Sequence, residues 1–199
     1  MTKLIDGYLK QPEKILTDVY IAIHTCTDDT AKKFLEIRTN TMIPYVSIGT
    51  LKWSDWDMKA KTIKFTSVQN EAEKQSIVHL SNYTNKLLSE LMPIARNSRY
   101  IFSDQLLPDK PIDLNELFQK RIGAKEIEVW AGLLHIQDFA KKLLTKNGFN
   151  TPDIDDYINH NHELISDSKR RELIARWGEF IEAANELAII EIANSRVAI

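Results

Sequence analysis

The segment Leu134–Phe149 reads LHIQDFAKKLLTKNGF. Ile136, Phe139, Ala140, Leu143 and Leu144 recur at i, i+3, i+4, i+7 and i+8, the spacing of one buried face of an amphipathic helix. Lys141, Lys142 and Lys146 fall off that face, into water. Gly148 stands where the chain needs a left-handed residue after the last turn, and Phe149 is placed to touch Leu144 in a Schellman ending. Thr151-Pro152 then supplies an N-cap and a first-turn proline for the next helix.

Composition sets the frame for this helix. The chain has 199 residues, enough for one domain or one domain with an extension. An apolar share of 43% supports a core, and a charged share of 27% with few Gly and Pro argues against disorder. The net charge of −2 does not describe a globally basic nucleic-acid binder, although it leaves room for a local basic face. One cysteine, Cys26, excludes an internal disulfide framework and a cysteine-based zinc site, and is read as a small buried hydrophobe. No apolar run approaches the about 18 residues of a membrane span and no signal peptide is evident, so the expectation is a soluble cytoplasmic protein without a membrane partner.

Upstream, helices are expected over Leu16–His24 and, capped by Thr27-Asp28-Asp29, through Phe34, Leu35 and Ile37. Pro44 begins a short helix reaching about Leu51. The period then changes. Thr62–Thr66 and Ser76–Leu80 alternate as two short strands joined by the polar run Gln69–Lys74. Ser81 or Asn82 caps a helix burying Leu87, Leu88 and Leu91, Tyr100–Phe102 is extended, and Asp113 opens a helix ending near Gly123. A short helix buries Ile154, Tyr157 and Ile158, and a long last helix starts near Ser166–Ser168 with Leu173, Ile174, Trp177, Phe180 and Ile181 inside. The fold class is mainly α with a small antiparallel β-sheet.

Several of these stretches, in order, resemble one family. Leu51-Lys52-Trp53-Ser54-Asp55-Trp56-Asp57 resembles the L-x-W-S-D-x-D segment of phage-type integrases, the tyrosine recombinases. His79-Leu80-Ser81 falls where that family has P-L-S, and Tyr100-Ile101-Phe102 with Lys110-Pro111-Ile112 resembles Y-V-F-P…K-P-I of prophage and pathogenicity-island integrases. Phe118–Gly123 resembles A-L-K-R-L-G. Asn147-Gly148-Phe149, Ile158-Asn159-His160 and Arg170-Arg171-Glu172 with Trp177 match later landmarks. The resemblance spans residues 16–182 and implies a tyrosine-recombinase catalytic-like domain there, a lead-in over 1–15, and a C-terminal helical tail over 183–199. It implies that most of the family's separate DNA clamp is missing.

The family's chemistry uses a tyrosine that attacks a DNA phosphate, with two arginines, a lysine and histidines neutralising charge and handling protons. The resemblance puts the first arginine nine positions before Trp53, at Pro44, and the acidic residue after it at Ser47. Proline offers no phosphate contact. The lysine belongs to the sheet turn, where Lys64, Lys74 and Asn70-Glu71 remain alternatives. Anchored on Gly148, the H-x-x-R box falls on Leu134 and Gln137; His135 is one place off, or about 100° around a helix. His160 matches the later family histidine. The nucleophile is expected roughly nine or ten positions beyond it, yet no tyrosine follows Tyr157.

These matches imply a catalytically inactive integrase-like protein of a mobile element, a pseudoenzyme without the tyrosine and both arginines. Lys120, Arg121, Lys141, Lys142, Arg170 and Arg171 are the candidate DNA-facing residues, with double-stranded DNA as the partner. The alternative is a protein-interaction module, because Leu187, Ile189, Ile190, Ile192, Val197 and Ile199 make the tail apolar; it would associate with itself or with a related integrase, or else pack on its own domain. His160 and His162 read as a solvated loop or a site remnant rather than metal ligands, and no cofactor is expected. Trp53 and Trp56 read as packing residues, with base stacking as the alternative.

Overall fold

The computed structural model describes residues 12–69, 72–93, 97–104, 107–117, 135–160 and 165–197. The expected helix end near Gly123, the connection over 126–132, Lys120, Arg121, Leu134 and His162 lie outside the described residues.

Helix α1 spans Pro12–Thr25 and starts earlier than its apolar pattern suggests. Asp28 caps α2, Asp29–Thr41, by accepting from the Ala31 N–H at 2.8 Å. Met42 ends α2 in the left-handed region (φ 57°), and Pro44 opens the short α3, Tyr45–Gly49. A 3₁₀ turn at Trp53–Asp55 leads into a three-stranded antiparallel sheet, β1 Trp56–Asp57, β2 Thr62–Gln69 and β3 Ala72–His79, in the order β1-β2-β3. Of the run 69–74, expected as a solvated turn, residues 69 and 72–74 are strand. The Ser67↔Lys74 and Val68↔Glu73 pairs continue the ladder, which rests on backbone hydrogen bonds that any side chain allows.

Ser81 caps α4, Asn82–Leu91, through the Thr84 N–H. Isolated bridges Lys52↔Tyr100 and Ser103↔Pro111 hold the extended piece, and Leu114–Glu116 forms one helical turn. Helix α5 is Ile136–Lys146, and its buried residues are the five expected. Gly148 has φ +88°, with its N–H on Thr145 O (3.0 Å) and the Phe149 N–H on Leu144 O (3.2 Å), the two bonds of a Schellman ending. Helix α6, Thr151–Ile158, is capped by Asn150 rather than Thr151. The asparagine side chain reaches the Asp153 N–H at 2.8 Å, which puts Thr151 and Pro152 inside the first turn.

Helix α7 runs 31 residues from Asp167 to Val197 and packs along α1. Leu173, Trp177, Ile181, Ala184 and Ala188 are its buried stripe. Trp177 is sealed into the core, its indole N–H donating to Thr39 O at 3.2 Å. The expected unit boundaries after residues 15 and 182 fall inside α1 and α7. Residues 183–197 continue α7, buried at Ala184 and Ala188, with His24 of α1 bonded to Asn185. Its outer side leaves Leu187, Ile189 and Ile190 about half exposed. Cys26, expected inside, is only partly buried just past the end of α1. No described helix is long and apolar enough to cross a membrane.

Candidate functional site

A chain of contacts runs between the positions that the resemblance singles out. At the first arginine position, Pro44 is half-buried as the N-terminal residue of α3, and its carbonyl accepts from the Ile48 N–H at 3.0 Å. One turn on, Ser47 is buried and donates to Thr66 O of β2 at 2.9 Å, which fixes α3 on the sheet. The neighbouring Phe65 points inward and meets His160 edge-on, with ring centroids 5.0 Å apart. His160 follows α6 in a left-handed conformation (φ 52°) and is only 8% exposed. It is therefore not part of a solvated loop. From the other side, Gln137 in the first turn of α5 donates to Ile158 O at 3.4 Å, two residues before His160.

The sheet sorts the two lysines by parity. Ile63, Phe65, Ser76 and Val78 are buried, whereas Lys64, Thr66 and Ile77 face out. Lys74 pairs with Ser67, two positions beyond Phe65↔Ser76, so it lies on the inner face with His160. Lys64 lies on the opposite face. Asn70 and Glu71 are outside the described residues.

The contacts thus gather Ser47, Phe65, Gln137 and His160, with Pro44 and Gln137 at the two positions where the family resemblance would put guanidiniums. Positions roughly nine or ten beyond His160 are Lys169 and Arg170, in the first turn of α7. Tyr157 is buried, and burial raises its phenol pKa far above the ordinary value, which suits a packing residue and not an attacking phenolate.

The described candidate DNA-facing cations do not gather on one face. Lys141 is paired with Asp155 of α6 at 2.6 Å, and Lys142 is exposed. Arg170 was expected outside but is 6% exposed. Three residues before Leu173, it continues the inward stripe of α7 and donates to Asp167 (3.0 Å) and to Ile165 O (3.3 Å), bonds internal to the fold. Arg171, about 100° further round, is exposed. Lys169 is about 200° from Arg171 and lies over Phe149 at the end of α5, so Arg171 faces away from α5.

The tryptophans serve packing. Trp56 is buried with its indole N–H on Asn85 (2.9 Å), and the Trp53 ring lies beside it, tilted by 58° with centroids 6.0 Å apart. Among the described residues no group of three or more His, Cys, Asp or Glu is arranged to hold a metal.

Sequence reasoning missed Arg38. It is 8% exposed on α2, its Nη1 has no hydrogen-bond partner, and burial lowers its pKa to about 10. Ala31, Phe34, Leu35 and Arg38 follow the i, i+3, i+4, i+7 pattern, so its inward position was legible. It also missed a groove beside α7 that contains Lys61, His79 and Arg171. No single local pattern marks it, because its walls come from three separated segments.

No family model matches the chain, and no curated protein matches it. Solved structures do. A XerA recombinase aligns over 84% of this chain and 61% of that one, at 18% identity and a TM-score of 0.53. The chain thus spans less than two thirds of that protein's length, and the likeness is one of fold. In its helices and its three-stranded antiparallel sheet, this chain has the architecture of a tyrosine recombinase domain.

Proposed function

We propose that the chain is an integrase-like protein of a mobile element, of the prophage type, that does not cleave DNA and serves recombination or transcription by binding duplex DNA. The observation that carries this is the cradle: Ser47, Phe65, Gln137 and His160 hold the arrangement together, while Pro44 and Gln137 supply no guanidinium and no tyrosine follows Tyr157. Of the candidate DNA-facing residues, Lys142 and Arg171 are exposed among the described ones, and Lys120 and Arg121 join them from the sequence resemblance.

A gel shift with generic duplex DNA tests the binding. The expected result is a complex at low salt whose affinity falls steeply as salt rises, by counter-ion release. No shift at low salt would remove DNA from this reading. A second reading, self-association or pairing with a related integrase, is favoured by the half-exposed Leu187, Ile189 and Ile190 on α7. Sedimentation of the wild type beside Leu187→Glu/Ile190→Glu separates the two. Dimers lost in the variant support the interaction module, whereas monomers throughout exclude it.

A further inference from the structure

We draw no further inference here: the strongest candidate, the buried guanidinium of Arg38 in the last turn of α2, leaves its Nη1 without a hydrogen-bond partner, and nothing in the structure shows what would meet it.

Discussion

Arg170 and Arg171 are neighbours with opposite surroundings. One lies on the inward stripe of α7 and is spent on Asp167 and Ile165; the other is in water beside a groove. Residue type alone did not distinguish them, but helical register does, since Arg170 is three residues before Leu173 and seven before Trp177. Arg38 is the harsher case. A buried guanidinium without a hydrogen bond at Nη1 costs stability, so Arg38→Met should raise the urea unfolding free energy by about 1 kcal/mol or more. A fall would mean that the charge has a ligand in solution. His79 predicts a pH dependence. Its folded pKa lies below the ordinary value, through burial first and then Arg170 and Arg171, partly opposed by Asp167. The unfolded chain then binds more protons as pH falls, so this contribution is complete above about pH 6.5 and is lost progressively below it. The urea midpoint should fall more steeply on acidification in the wild type than in His79→Gln. Equal slopes would remove His79 from the account.

Helix α5 was the most legible element, because its buried face and its ending depend on local spacing. Gly148 adopts φ +88° with open space around its Cβ position, so only backbone strain opposes a side chain there. Gly148→Ala should cost about 1 kcal/mol, read by urea unfolding, and Gly148→Asn less, since asparagine tolerates the left-handed region. The sheet was legible in kind but not in extent. Alternation located Thr62–Thr66 and Ser76–Leu80, while the ladder through Lys74 and Ser67 joins polar residues that carry no hydrophobic signal. The last helix was legible over its first half. Its continuation as a core element through Ala184 and Ala188 depends on α1, a partner far away in sequence. Trp177 joins those helices, and Trp177→Ala should cost about 3–5 kcal/mol in the same unfolding measurement. A loss below about 1 kcal/mol would mean that α7 packs elsewhere.

Across the molecule, the fold resembles that of the XerA recombinase although 18% identity leaves little of the sequence in common. Burial and register can be met by many apolar residues, so a fold persists through such divergence. Phosphoryl transfer demands particular side chains at particular points, and on the proposed reading Pro44 and Gln137 stand where two of them would be. Pro44, Ser47, Gln137 and His160 were legible only through the resemblance to the integrase family. Their mutual contacts, from Ser47 to Thr66, Phe65 to His160 and Gln137 to Ile158, were not, because they join distant segments. The central claim is therefore a scaffold separated from its reaction, and covalent trapping tests it most directly. The chain is incubated with a pool of nicked suicide duplexes of randomised sequence, and protein–DNA adducts are resolved under denaturing conditions. The account predicts no adduct, including for Pro44→Arg/Gln137→Arg, which restores charge without a nucleophile. A denaturant-stable adduct on a tyrosine, mapped by mass spectrometry, would contradict it.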